Sequence, residues 1–150
     1  IMSLVDKVNN DLKEAMKNKD KEKLNVIRML KSAIQMSKIE LKHDLSDEEV
    51  ISVVSKQIKM RKDSIEEFAK ANRDDLKDQY QKEIDVLNNY MPEQISKSEA
   101  EKIIDCAFLK INPTSPKEMG LIMKEVSPKL KGVFDMGDAS KIIKDKLNNL

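Results

Sequence analysis

The chain has 150 residues, and its 28 Lys and Arg side chains are nearly balanced by 27 Asp and Glu, which leaves a formal net charge of +1. This balance excludes a strongly charged tail protein. Charged residues make up 37% of the sequence, above the average of about 25%, whereas aromatic residues make up only 3%. Because 39% of the residues are apolar, the chain can fill one or two small cores, and the composition indicates long helices with charged outer faces.

The single cysteine, Cys106, and the single histidine, His43, restrict the chemistry of the chain. One Cys cannot form an internal disulfide, and with one His it cannot build a zinc site, so the sequence predicts a cytoplasmic protein without a metal or other cofactor. No apolar run approaches the ~18 residues that a membrane span needs, so no membrane partner is expected. Ile1 precedes a candidate initiator, Met2, and nothing after it resembles a signal peptide.

The first part of the chain is predicted to be built from long helices. All Gly and Pro residues follow Tyr90, so the division is placed near Pro92, which gives domains of residues 1–94 and 95–150. Apolar residues at helical spacing predict one helix after Ser3, with Leu4, Val8, Leu12 and Met16 inward, and a second one after the turn at residues 18–20. A capping box at Ser46 predicts a third helix of about twenty residues. A fourth begins after residues 72–75 and is ended by Pro92.

The second part carries denser start and stop signals and is predicted to form a small three-helix domain. Capping boxes begin at Ser96 and at Ser115, and the second has Pro at the first helical position. Ser127 and Pro128 are expected to end the middle helix, and a loop over residues 129–137 leads to the last one. The fold class is therefore all-α, with an N-terminal domain of long helices and a small C-terminal domain.

No catalytic constellation is visible, so no catalytic residue is assigned. The sequence lacks the Gly-rich loops that bind nucleotide phosphates and the H-E-x-x-H zinc motif. His43 beside Asp44 is interpreted as a surface residue, and Cys106 as a small core residue, with a reactive thiol as the alternative. Met119 and Met123 are interpreted as core filling, with an adaptable binding groove as the alternative.

Basic residues are the more informative set, because they are unevenly distributed. Residues 7–31 contain eight basic and four acidic side chains, which indicates a positive patch on the first two helices. Arg61 falls among the apolar positions of the third helix, so its guanidinium is either paired inside or lines a groove. The candidate phosphate contacts are Lys21, Lys23, Arg28, Lys31, Lys56, Lys59, Arg61, Lys62, Lys129, Lys131 and Gly132.

Four segments resemble the YqeY proteins over essentially the whole chain. They are residues 2–34, the central segment K-M-R-K-D-S-I-E-E-F at residues 59–68, the segment E-I-D-V-L-N-N-Y-M-P at residues 83–92, and S-P-K-E-M-G at residues 115–120. The resemblance implies an all-helical protein whose C-terminal domain is similar to the tail of the GatB subunit of the tRNA-dependent amidotransferase. That tail is associated with tRNA recognition, and the family label also suggests a carbon–nitrogen ligase with glutamine as amido-N-donor.

One segment departs from the family pattern. The usual loop K-G-(R/K)-A-D-G is here Lys131-Gly132-Val133-Phe134-Asp135-Met136, so a basic residue and an Ala are missing where a backbone-to-phosphate contact would be expected.

Three functions follow from the residues and the resemblance. The first is a non-catalytic protein that binds tRNA, or a tRNA-amidotransferase or synthetase complex, by shape and phosphate contacts, because few aromatic residues are available to stack on bases. The alternative is a helical protein–protein adaptor. The third, less supported by the residues, is the ligase itself.

Overall fold

The computed structural model describes residues 2–150, and within them the chain is helical with no strand. It divides into two compact units, one ending at Met91 and the other comprising Pro92–Leu150. The helices are α1 (Leu4–Lys17), α2 (Lys21–Leu41), α3 (Asp47–Lys70), α4 (Asp74–Asn88), α5 (Lys97–Ile111), α6 (Met119–Leu130) and α7 (Met136–Asn148), and a 3-10 turn (Pro116–Glu118) precedes α6. The predicted all-α class is confirmed. None of the helices between residues 2 and 150 is long and apolar enough to cross a membrane.

Polar side chains begin the helices where the sequence predicts. Ser3 and Ser46 each accept a hydrogen bond from a backbone N–H of the first turn, and Ser46 forms the complete capping box with Glu49. At α5, Ser96 accepts from the Glu99 N–H, but the return bond from the Ser96 N–H to the Glu99 side chain is not formed. The box at Ser115 is complete, and it caps the 3-10 turn before α6.

Left-handed residues end several helices where Gly would be the usual choice. Lys42 closes α2 with φ of 62°, and Asn112 closes α5 with φ of 52°. Lys19 and Asn72, which follow α1 and α3, also have positive φ. An L-residue in this region costs roughly 1–2 kcal/mol relative to the right-handed form, with Asn the best tolerated after Gly. The first unit therefore makes its tight turns without any Gly.

The core of the first unit is formed by α1–α4, by Leu45 before α3 and by Tyr90 after α4. Inward-facing positions repeat at three and four residues, as an amphipathic helix requires. On α1, Ala15 is buried whereas Met16 is 53% exposed, so the prediction for Met16 is wrong. The spacing fits either register at the end of that helix, and the smaller residue packs inside. The buried set is Val8, Ala15, Val26, Ile27, Leu30, Ile34, Leu45, Val50, Val54, Ile58, Ile84, Leu87 and Tyr90.

The second unit packs α5, α6 and α7 around a separate core. Pro128 does not end α6, which continues to Leu130, so the predicted stop is wrong. Leu130 is fully buried in this core, and its packing holds the last turn in helical form although Pro128 cannot donate a backbone hydrogen bond. The buried set is Ala100, Ile104, Ala107, Ile122, Val126, Leu130, Ala139, Ile143 and Leu147.

A polar contact fixes the end of the first unit to α1. The Tyr90 hydroxyl donates to the Asp11 carboxylate at 2.6 Å, and the Lys7 ammonium lies 5.3 Å from the centroid of the Tyr90 ring while it donates to the Asn89 carbonyl. Burial, together with the neighbouring Asp11 carboxylate, raises the pKa of Tyr90 above its usual range. The folded state therefore favours the neutral phenol.

We expect Tyr90→Phe to lower the free energy of unfolding by about 1–2 kcal/mol at neutral pH, because Asp11 loses its donor. The stabilisation is fully present below the unfolded-state pKa of about 10 and is lost as the pH rises toward the higher folded-state value. Urea unfolding at pH 8 and at pH 10.5 measures this: wild type loses more stability between the two than Tyr90→Phe. Tyr80→Phe is the control and follows wild type. Parallel losses in wild type and Tyr90→Phe would contradict this account.

Candidate nucleic-acid interface

Two open grooves lie on the first unit, and each has α2 as one wall. The larger, of about 630 Å³, runs between the first half of α2 and α4, and we call it the α2–α4 groove. The smaller, of about 400 Å³, lies between the start of α1, the second half of α2 and the connection to α3. Both volumes fall within the usual range for ligand-binding clefts.

The structure brings only some of the predicted cations together. Lys23 and Arg28 line the α2–α4 groove, and Lys82 of α4 joins them, although the sequence analysis did not single it out. Lys31 lines the smaller groove. The exposed side chains of Lys56 and Lys62 lie on α3 outside both grooves. Lys82 was missed because its helix carries five acidic residues and only two basic ones, so only its position across from α2 reveals it.

Arg61 is the one candidate that is buried, with 5% of its surface exposed. Its Nε donates to Glu83 Oε1 at 2.9 Å, which links α3 to α4, and its Nη1 donates to the carbonyl and side-chain oxygens of Gln57. The first of the two sequence interpretations, an internally paired guanidinium, is therefore correct. Arg61, one of the predicted phosphate contacts, is therefore not part of the exposed cationic surface.

The Nη2 atom of Arg61 has a weaker hydrogen-bond acceptor than the Nε and Nη1 atoms. Its hydrogen-bond partner is the sulfur of Met29, at 3.7 Å. A thioether is a weak acceptor, and Nη2 carries two N–H groups. Met29 and Glu83 both line the α2–α4 groove, so this end of Arg61 lies directly beneath it.

Two further candidate phosphate contacts, Lys59 and Lys129, form ion pairs. Lys59 pairs with Asp63 at 3.2 Å, and Lys129 lies 3.7 Å from Glu125, which also pairs with Lys110. The hydrogen bond from Lys110 is the main reason that the pKa of Glu125 lies below its usual value. Within the described part of the chain, no ion pair involves Lys21, Lys23, Arg28, Lys31, Lys56, Lys62 or Lys131.

The loop from Lys131 to Asp135 uses its backbone groups internally. The N–H groups of Lys131, Val133 and Phe134 donate to carbonyls of α6, and the Gly132 and Val133 carbonyls accept from Gln94 and Ile95. Gly132 adopts a φ of 82°, which permits this tight turn. Three amides of this loop are therefore already hydrogen-bonded within the second unit. The Lys131 side chain is exposed.

The remaining candidates for chemistry lie on the surface. His43 Nε2 is 3.4 Å from Glu49 and its Nδ1 contacts the Asp44 carbonyl, in agreement with the predicted surface position. Cys106 is exposed, so its prediction as a core residue is wrong. It lies on the outer face of α5, whereas Ala107 lies on the face that packs into the core. Among residues 2–150, no group of three or more His, Cys, Asp or Glu side chains is arranged to hold a metal ion.

Comparison with known proteins places the chain in a family. The family described as Yqey-like protein matches residues 5–147, which is nearly the whole length of the chain. The chain belongs to the YqeY family. The resemblance inferred from the sequence motifs is thereby confirmed.

Fungal relatives share about a third or more of the aligned residues. A protein named "Altered inheritance of mitochondria protein 41, mitochondrial" from Pyrenophora tritici-repentis is 34% identical over 81% of this chain and 68% of its own length. Proteins of the same name from Lachancea thermotolerans and Saccharomyces cerevisiae are 42% identical over 66% and 61% of this chain, and these matches span 55% and 50% of the relatives. Their names contradict the prediction of a cytoplasmic protein, because each is named as mitochondrial.

The buried ion pair gives a direct test of the site's architecture. We expect Arg61→Ala to lower the free energy of unfolding by about 3–5 kcal/mol, because Glu83 would be left largely buried without its partner. The double substitution Arg61→Met with Glu83→Leu should recover most of the loss, because neither charge then remains. Urea unfolding provides the measurement.

Lys59→Ala is the matched control for this test. It removes the exposed pair with Asp63, and exposed pairs contribute only about 0–1 kcal/mol. An Arg61→Ala variant as stable as Lys59→Ala would show that the buried pair does not hold α3 and α4 together.

Proposed function

We propose that the protein is a non-catalytic RNA-binding module whose ligand is tRNA or a complex that carries tRNA. The observation that supports this most directly is the set of cations on α2 and α3 that form no ion pair in the described chain. Lys21, Arg28 and Lys31 on α2, and Lys56 and Lys62 on α3, are exposed, and none of them pairs with an acidic side chain within residues 2–150. Such side chains gain free energy from phosphate contact by releasing condensed counterions.

The chemistry of the surface favours recognition of the RNA backbone. Lysine ammonium groups contact phosphates without reading the bases, so they position a nucleic acid but carry no sequence information. The chain has two Tyr, three Phe and no Trp, which leaves few aromatic faces for unpaired bases. Binding of this kind selects shape and charge density, as expected for a folded RNA.

The amidotransferase complex is a proposed partner on the strength of the family resemblance alone. The loop at Lys131 lacks one basic residue of the family pattern, and three of its amides are hydrogen-bonded within the second unit, so this unit has fewer groups available for a phosphate than the pattern implies. We therefore assign the main RNA contact to the first unit.

A protein–protein adaptor is the second candidate function, and it is supported by exposed apolar residues. Met29, Met36, Ile39 and Leu41 of α2 and Met60 of α3 are each 46–66% exposed. Large exposed apolar side chains grouped on neighbouring helices are typical of protein contact sites. RNA binding and apolar protein binding respond differently to salt, because salt weakens phosphate contacts but does not weaken apolar ones.

We expect the purified protein to retain mixed tRNA on filters at ~50 mM salt, and the affinity to fall steeply as salt is raised. Lys56→Glu with Lys62→Glu should weaken binding and lower the slope of log affinity against log salt by about 2, because two phosphate contacts are lost. Filter binding over a series of salt concentrations measures both quantities.

The matched control reverses two charges elsewhere. Lys117→Glu with Lys144→Glu changes two exposed, unpaired lysines of the second unit that are not among the candidates. An equal loss of affinity in both double variants would indicate a response to net charge alone. Absence of tRNA retention at ~50 mM salt would contradict the proposal.

A further inference from the structure

The α2–α4 groove has a defined direction, which follows from the packing of its helices. The short connection at residues 42–46 makes α2 and α3 antiparallel, and the Met29 sulfur on α2 contacts Arg61 Nη2 on α3. The beginning of α2 therefore lies beside the end of α3, where Phe68 meets Tyr80 of α4 with ring centroids 5.1 Å apart. One end of the groove is formed by the start of α2 and Tyr80, and the other by Met29 and Glu83.

The two ends differ in their chemistry. At the Tyr80 end the lining carries the carboxylates of Asp20 and Glu22 and the side-chain amides of Asn25 and Gln79. The ring of Tyr80 is held edge-on by Phe68 in a T-shaped contact, so one aromatic wall is fixed in place. Carboxylates and amides of this kind accept and donate hydrogen bonds at the edges of nucleobases, and aromatic faces stack on them.

The Met29 end is suited to an anion. Arg28 lines it, and the Nη2 atom of Arg61 lies beneath Met29 with a thioether as its partner. Glu83 is also present, but its charge is balanced by Arg61, and its second oxygen accepts from Gln79 at 3.4 Å. Met29 is 53% exposed and unbranched, so its side chain is able to move and uncover the guanidinium. A phosphate would replace a weak acceptor with a charged one, and such bonds are roughly twice as strong as neutral ones.

We propose that the α2–α4 groove binds one nucleotide, with its phosphate between Arg28 and Arg61 and its base against Tyr80. Lys23 and Lys82 line the groove between these ends and add positive charge along the ribose. A simple anion would satisfy only the Met29 end, and an uncharged nucleoside only the Tyr80 end. The same chemistry occurs in a free nucleoside monophosphate and in a 5′-phosphorylated RNA end. The site does not depend on the α3 lysines of the proposed RNA surface.

Isothermal titration calorimetry of the full chain tests the site with AMP, GMP, CMP and UMP, with the four nucleosides, and with inorganic phosphate. We expect at least one nucleoside monophosphate to bind 10-fold or more tightly than its nucleoside and than inorganic phosphate. A 5′-phosphorylated tetranucleotide that binds more tightly than the mononucleotide would assign the site to an RNA end; equal or weaker binding would assign it to a free nucleotide. Phosphate binding as tightly as every mononucleotide, or absence of binding by all of them, would overturn the proposal.

Three substitutions separate this site from general attraction to positive charge. Arg28→Ala should weaken nucleotide binding at least 10-fold, whereas Lys144→Ala, on the second unit, should leave it unchanged. Met29→Ala should strengthen binding several-fold, because it uncovers Arg61 without altering any charge. A Met29→Ala variant that binds no more tightly than wild type would rule out the contribution of Arg61. Absence of nucleotide binding by the wild-type protein, with tRNA retention intact, would reject this site alone, and nucleotide binding without tRNA retention would reject only the RNA surface.

Discussion

The buried pair between Arg61 and Glu83 is the contact on which the arrangement of the first unit depends. It joins α3 to α4, and through Met29 it also reaches α2. Removing two charges from water is costly, and the cost is offset only when the geometry is good and the remaining hydrogen bonds are made. Here Gln57 supplies two acceptors for Nη1, so most of the guanidinium is satisfied. Unlike an apolar contact, the pair requires a specific geometry, so it favours one relative position of the two helices.

Local signals in the sequence predicted the helices well because helix ends depend on neighbouring residues. Ser3, Ser46 and Ser115 each act within three or four positions, and the structure has them as N-caps. The stop at Pro128 failed because the burial of Leu130, a tertiary contact, outweighs the local cost of Pro in the last turn. Met16 and Ala15 differ by one position, and only the packing of the neighbouring helices decides which of them faces inward.

The candidate site was harder to predict, since its residues come from different helices. The position of Arg61 among apolar residues indicated that it was unusual, but the sequence did not identify Glu83 as its partner. Lys82 becomes part of the site only because α4 lies across from α2. In the loop at Lys131, the Gly132 and Val133 carbonyls accept hydrogen bonds from Gln94 and Ile95, which precede the loop by more than thirty residues. The spacing of residues along the sequence indicates neither of these contacts.

Because the net charge is near zero, the proposed RNA binding depends on individual cations and not on the electrostatic field of the whole protein. With +1 overall, long-range attraction to RNA is weak, so binding depends on which lysines are free of ion pairs. The exposed lysines of α2 and α3 act within the ~8–10 Å over which salt screens charge. Arg61 lies beneath the surface, where screening is weaker and each hydrogen bond is electrostatically stronger. A ligand held by Arg61 would therefore keep more of its affinity at high salt than one held by the lysines, so the two sites on one small unit differ in their physical character.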